Sequence, residues 1–256
     1  MSKYALYNGS RKVSVIIPTY KDDGALTLLL EQLSALDIFE IIVVDGEGRW
    51  TPPAHLAHYD KLQWKTAARG RGPQIAHGLA CANGDRLWVL HADSQVNSES
   101  LVEIDRILSN PKTSLGMFRL SFNRPQFTYH LFELFARFDT RLTSFGDQGF
   151  FFRQEDMDKV WKELYSDLKN APILEDVILR RTLKSIGAVK KSPLKIGSLP
   201  RRFERRGLWR TQIRNVSILL RWVLGVSPHV LYDSYYSEPQ KPSLTPARSS
   251  SIIING

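Results

Sequence analysis

Two kinds of hydrophobic spacing alternate through the first half of the chain. Val13-Ser-Val-Ile-Ile17 is a short β-branched run stopped by Pro18, the pattern of a buried parallel strand that ends in a loop. Asp22 or Asp23 then caps a helix in which Leu26, Leu29, Leu30 and Leu33 recur at helical spacing through about residue 35. Glu40-Ile-Ile-Val-Val-Asp45 follows as a second buried strand, with Gly46 after it. A β-α-β unit of this kind has a right-handed crossover and parallel strands. Ligands bind outside the carboxyl ends of such strands, where Pro18-Thr19-Tyr20 and Asp45-Gly46 fall.

The pattern then repeats. Leu62 to Lys65 predicts a third short strand, and Arg69-Gly-Arg-Gly-Pro73 opens a helix with Ile75, Leu79 and Ala82 on one side, closing at Asn83-Gly84. Asp85 to Leu90 is a strand that delivers His91-Ala92-Asp93-Ser94 to the same edge, and Ser98 to Leu108 is the next helix. Four strands with three intervening segments predict an α/β fold with a doubly wound, mostly parallel sheet. The second half is less regular. It predicts a helix over Tyr129 to Leu142, a strand over Gln148 to Arg153, and a helix over Glu175 to Ile186 entered after Pro172, with Ile178, Leu179, Thr182, Leu183 and Ile186 buried. A further amphipathic helix covers Arg210 to Leu224. The last twenty residues, with Pro239, Pro242, Pro246 and three consecutive serines, predict a flexible tail.

Composition narrows the class. A chain of 256 residues with 43% hydrophobic and 24% charged residues has material for one large globular α/β unit. The single Cys81 excludes an internal disulfide framework and fits a reducing cytoplasm. Met1 to Tyr7 lacks an apolar leader segment, and the apolar stretch Val216 to Leu231 is interrupted by Arg221 and Pro228, so neither a signal peptide nor a spanning helix is expected. A cytoplasmic protein follows, either free or peripheral at the inner face of the membrane. The net charge of +9 is concentrated: between Arg180 and Arg214 stand twelve Lys or Arg and one acid, Glu204, which leaves the rest of the chain slightly acidic. Such a segment suits small-ligand phosphates, anionic headgroups or a nucleic-acid backbone, and charge alone does not choose among them.

Three constellations carry candidate chemistry. Asp93 at a strand end is placed to hold Mg²⁺ or Mn²⁺, hard ions that share oxygen ligands with phosphates, although a strand-end Asp also serves as a loop or helix cap. Glu175-Asp176 opens a helix, where the dipole alone accounts for acids, yet an ionised carboxylate there can also take a proton from a hydroxyl. Arg201-Arg202-Phe203 and the pair Arg210 and Arg214, four apart on one helix face, offer guanidinium forks to phosphate or simply form a solvated basic surface. Gly70-Arg71-Gly72 before a helix has the look of an anion nest without being a Walker A loop.

Taken in order, the segments Val13-Ser-Val-Ile-Ile-Pro-Thr-Tyr20, Ile42-Val-Val-Asp-Gly46, Gly70-Arg-Gly-Pro-Gln74, Asn83-Gly84-Asp85, Leu90-His-Ala-Asp-Ser94, Gly146-Asp-Gln148 and Leu174-Glu-Asp176 resemble glycosyltransferase family 2, the inverting transferases of GT-A fold. The subgroup most similar has a Leu-His-Ala-Asp metal motif and a Gly-Asp-Gln segment. The resemblance spans roughly residues 12 to 235. It implies a GT-A catalytic domain over residues 10–200, with a nucleotide half to about residue 110 and an acceptor half beyond it. A basic helical extension over 201–236 and the tail over 237–256 would follow.

The resemblance also implies roles. Pro18, Thr19 and Tyr20 would line the base and ribose of a nucleotide-sugar donor, Asp45 would hydrogen-bond the base, and Arg71 would lie near the nucleotide. Asp93 would bind a divalent cation, Mg²⁺ or Mn²⁺, that bridges the diphosphate, with His91 where many relatives carry a second Asp. Gly146, Asp147 and Gln148 would shape the acceptor and sugar subsite. Asp176 would be the general base, Glu175 would orient it, and Arg210 and Arg214 would close over the diphosphate. The Gln-x-x-Arg-Trp motif of processive synthases is absent, which points to single transfers onto a hydroxyl acceptor, either a saccharide or a lipid-linked molecule. Two other readings stand beside this one: a sugar-phosphate nucleotidyltransferase, and a non-catalytic basic module on membrane or nucleic acid. The first expectation has no nucleic-acid partner and allows contact with anionic membrane.

Overall fold

The structure is a computed structural model and describes residues 11–49, 51–122, 146–198 and 208–236. Its centre is one eight-stranded sheet drawn from β1 (Val13–Thr19), β2 (Glu40–Asp45), β3 (Leu62–Thr66), β4 (Arg86–Val89), β5 (Ser94–Gln95), β6 (Thr113–Ser121), β7 (Phe150–Arg153) and β8 (Ala188–Ser198), in the spatial order β3-β2-β1-β4-β7-β6-β8-β5. The first four in that order are parallel, β7 runs antiparallel to β4 and β6, β8 is parallel to β6, and β5 is antiparallel to β8. The expected α/β sheet is therefore present, mostly parallel in its first half and mixed beyond it.

Both faces of the sheet are covered at β1 and β2, which is why these strands are buried throughout and read as nearly unbroken apolar runs. Val15 and Ile17 of β1 enter one core with Leu26, Leu29, Leu30 and Leu33 of α1 (Asp23–Ser34). Ile16, pointing the other way, packs with Ile75 and Leu79 of α2 (Arg71–Cys81). The three phenylalanines of β7 divide likewise, Phe151 into the first core and Phe150 and Phe152 into the second. Gly116 of β6 is required by this packing, because a Cβ there would lie in the ring of Phe151.

α3 (Ser100–Leu108), α4 (Gln154–Lys169) and α5 (Glu175–Lys184) flank the sheet, and α6 (Leu208–Val223) and α7 (Pro228–Tyr236) form the C-terminal helices. A third, smaller core joins Leu174, Ile218, Leu231 and Tyr235, so α6 and α7 rest on the turn that begins α5. Two sequence expectations change in detail. The strand expected from Gln148 begins at Phe150, because Gly149 adopts φ +60° and Gly146–Gln148 forms a 3-10 turn before it. Ile186 is exposed rather than part of the buried stripe of α5, which ends at Lys184. The helix expected over Tyr129 to Leu142, the Arg201-Arg202-Phe203 group and the tail lie outside the described residues.

The start of α2 is set by close backbone approach. Gly70 has φ +132°, and a Cβ there would lie 2.7 Å from Pro172. At Gly72 a Cβ would fall on the carbonyl oxygens of Ala171 and Leu168 at the end of α4. Backbone oxygens cannot rotate away, so Gly72→Ala is expected to cost about 1–3 kcal/mol of stability, read as a lower urea midpoint at unchanged slope.

Candidate active site

The C-terminal ends of β1, β2 and β4 share one edge of the sheet, and the chain places its polar strand-end residues there. Pro18 and Thr19 close β1 opposite Val44 and Asp45 of β2. The amide of Gln74 in α2 donates to the carbonyls of both Thr19 and Val44, at 2.6 and 2.7 Å, and so fastens the two strand ends to the helix behind them. Asp45 is fully buried and accepts from the backbone N–H of Glu47 and from Nε of Arg49, whose guanidinium also grips Asp23 at 2.9 Å. In this arrangement the Asp45 carboxylate organises the loop after β2.

Tyr20, next along the edge, lies under the guanidinium of Arg69 at 4.4 Å, and the same guanidinium is 5.8 Å from the rings of Tyr232 and Tyr236 in α7. The last helix is thereby brought over the β1 end of the site by cation–π contacts. Arg214 of α6 donates to the carbonyls of Ser234 and Tyr235 at 2.9 and 2.6 Å, satisfying acceptors left at the end of α7. Arg210, one turn earlier on α6, is exposed.

Beyond β4 the chain runs through His91 and Asp93, and the 3-10 turn before β7 brings Asp147 to them. His91 Nδ1 lies 2.5 Å from Asp147 Oδ1. One ligand atom from each of His91, Asp93 and Asp147 falls within 4.8 Å of the others, a spacing that a single cation spans. Asp147, read in the sequence with Gly146 and Gln148 as an acceptor and sugar subsite, is thus placed beside the strand-end pair, and Gln148 next to it is fully buried. Two carboxylates and an imidazole suit Mn²⁺ or Mg²⁺ completed by phosphate and water oxygens. The buried Nε2 of His91 has no hydrogen-bond partner and faces Glu175 Oε1 at 3.8 Å.

Glu175 and Asp176 open α5 directly after Leu174, which holds a left-handed φ of +73°. A bulky residue in that region costs about 1–3 kcal/mol and persists only where packing imposes it. Here Leu174 is clamped by Ile218, Leu231 and Tyr235. The two carboxyls that follow are driven apart in acidity. Burial opposes the charge of Glu175, but Arg71, 2.8 Å away from α2, and then His91 hold its carboxyl below the ordinary range. Burial, followed by the neighbouring Glu175 charge, pushes Asp176 up to about 6. One acid is locked as an anion while its neighbour exchanges a proton near neutrality, the division expected where environment assigns acid and base roles.

Reading the sequence alone assigns no role to Gln74, Arg49, Arg69, Tyr232 or Tyr236. Gln74 stands in the Gly70-Arg-Gly-Pro-Gln74 segment without a role of its own, and the other signals are an Arg one position before Gly70 and two tyrosines four apart, whose tilted rings lie 4.5 Å apart on α7.

The sequence matches the glycosyl transferase family 2 model over residues 14–166, more than half of the chain, and the protein belongs to that family. It is an α/β enzyme of the GT-A type. A mannosyltransferase of Pyrobaculum calidifontis, solved with GDP-Man and Mn²⁺, superposes with a TM-score of 0.60 at 17% identity, covering 88% of this chain and 69% of that one. TarS of S. aureus superposes at 0.54 with 16% identity, covering 86% and 68%. Glucosyl-3-phosphoglycerate synthase of Mycobacterium tuberculosis, solved with Mg²⁺ and UDP, gives 0.51 at 15% identity, covering 81% and 78%. At these identities the likeness establishes a shared fold. Comparison with curated proteins finds no match.

Proposed function

We propose that the protein is an inverting glycosyltransferase that moves a sugar from a nucleotide-diphosphate donor to an acceptor hydroxyl with the help of Mn²⁺ or Mg²⁺. The observation that carries this reading is the meeting, at one sheet edge, of the His91, Asp93 and Asp147 cluster with the unequal carboxyl pair Glu175 and Asp176. Membership of family 2 favours it over a nucleotidyltransferase or a purely binding module. The Leu-His-Ala-Asp and Gly-Asp-Gln segments, which define the subgroup resemblance, supply all three residues of the cluster.

His91, Asp93 and Asp147 would hold the cation, and an imidazole with two hard carboxylates, one ligand atom of each within 4.8 Å of the others, makes the site chemically apt for it. When bound, the ion supplies positive charge against a diphosphate leaving group. Pro18, Thr19 and Tyr20 line the nucleotide end in this reading. Asp45 supports that end through the loop it fixes, and Arg71 grips Glu175 of the carboxyl pair. Asp176 accepts the proton of the acceptor hydroxyl as oxygen attacks the anomeric carbon from the face opposite the leaving group, so configuration inverts and no sugar-enzyme bond forms. Glu175, held ionised by Arg71, keeps negative charge beside Asp176 and thereby keeps that base strong enough to act.

A melting screen against UDP-, GDP- and dTDP-sugars with and without Mn²⁺ tests the reading. One donor class is expected to raise the melting temperature only with metal present, a linkage gain of about 2.7 kcal/mol at a hundredfold excess over Kd. If no donor shifts the transition under any metal condition, donor binding is lost as an explanation. Release of pyrophosphate from a nucleoside triphosphate and a sugar phosphate would instead establish the nucleotidyltransferase.

A further inference from the structure

We propose that the outer face of α6 docks on an anionic lipid surface. Ile213, Val216, Leu220, Val223 and Leu224, running along α6 and just past its end, are 40 to 82% exposed. At about 100° per residue their spacing confines them to roughly a 100° arc of the helix, a single apolar stripe. The stripe is not a displaced core face, because α6 already has one: Thr211 and Ile218 are buried on the opposite side, and Ile218 packs on Leu174, Leu231 and Tyr235. A helix with two apolar faces, one satisfied within the protein, has the second available for something outside it.

Charge selects the occupant. Arg210 stands exposed at one margin of the stripe, Arg214 and Arg221 on the same margin reach back to α7, no acid occurs between Glu204 and Asp233, and Arg201, Arg202, Arg205 and Arg206 stand just before the helix in sequence. An apolar stripe bordered by arginines is the pattern of a helix lying in the plane of a membrane interface, with aliphatic side chains among acyl chains and guanidinium groups at the phosphates. A second copy of the chain fits less well. Two such faces would bring their basic margins together, and a stripe about 16 Å long and about 10 Å wide, on the order of 160 Å², falls far short of the ~800 Å² per partner that a stable complex covers. Among the described residues no helix is long and apolar enough to cross a membrane, so the contact is peripheral.

Docking here has a consequence for the site. α6 holds the end of α7 through Arg214, and both helices pack on Leu174, the residue before Glu175. The carboxyl pair would then lie one packed layer from the lipid surface, where an acceptor hydroxyl carried on a lipid could reach it.

The test is co-sedimentation of the full chain with phosphatidylcholine vesicles and with the same vesicles containing about 30% phosphatidylglycerol, at about 0.05 and 0.5 M NaCl. Binding is expected on the anionic vesicles at low salt and at least about tenfold weaker on neutral ones. The double variant Leu220→Glu, Val223→Glu should lose at least about tenfold in binding with an unchanged melting temperature. Ile213→Gln, a milder change at an exposed position, should lose a smaller part and covers the case in which the double variant folds poorly. Absence of binding by the native chain, or equal binding by both stripe variants, overturns the proposal. So does light scattering that shows a native dimer turned to monomer by the double variant, since a second copy would then be the occupant. No donor is present in this assay, so its failure is separable from failure of the transfer reading.

Discussion

Asp176→Asn is expected to lower the rate of sugar transfer by about 10²–10⁴-fold while leaving metal-dependent donor binding intact. The amide keeps the size and the local hydrogen bond to the backbone of Val177 that the carboxylate accepts at 2.8 Å, so the start of α5 is retained. What is lost is the capacity to take a proton. Removing a half-buried negative charge next to Glu175 relieves repulsion, and the variant should melt no lower than the native protein at pH 7. A variant that transfers sugar at the native rate would remove Asp176 as the base, whatever the donor screen shows.

The same residue sets a pH signature. Because Asp176 is pushed up to about 6 from an ordinary 3.8, the activity of the free enzyme should fall below about pH 6 as the base is protonated. Its effect on stability has the opposite sense. Between about pH 4 and 6 the folded protein keeps a proton that the unfolded chain has released, so this group favours the fold most at low pH and that contribution declines as pH rises to 6. Asp176→Asn should flatten both trends, and Arg71→Met should disturb them by freeing the neighbouring Glu175.

The nucleotide side of this molecule was legible because its physics is local. β1, β2, β4, α1 and α2 follow from apolar runs and caps that need no distant partner, and the strand ends then fall at one edge by topology. The far side depends on contacts between distant segments. β8 reads poorly because Lys190, Lys191 and Lys195 interrupt its apolar residues and it contains Pro193, yet its parallel register with β6 is broken by irregularities that accommodate such a sequence. β6 was hidden by Gly116, whose purpose is visible only once Phe151 lies against it. The basic segment, a single feature in one dimension, divides in three: Arg180 is buried, Lys190 and Lys195 are solvated positions of β8, and Arg214 holds the end of α7. The cluster partner of Asp93 was present in the sequence as Asp147, but 54 positions of chain separate them and spacing alone does not report that β7 lies beside β4.

Asp93→Ala is expected to have a different phenotype from Asp176→Asn, and the contrast separates the two halves of the proposed chemistry. Asp93 contributes one of the two carboxylates in the cluster, and the Nδ1 contact of His91 to Asp147 does not depend on it, so the fold should tolerate its loss. Hard divalent ions bind through accumulated oxygen ligands, and one carboxylate with one imidazole is a poor site for Mn²⁺. Calorimetric titration of the protein with Mn²⁺ alone should show affinity weakened at least about a hundredfold. The donor-induced rise in melting temperature should vanish with it, whereas Asp176→Asn keeps both and loses turnover. If Asp93→Ala bound Mn²⁺ as tightly as the native chain, the ion would have to be held by other residues, and the strand-end cluster would revert to a structural cap on the loop between β4 and β5.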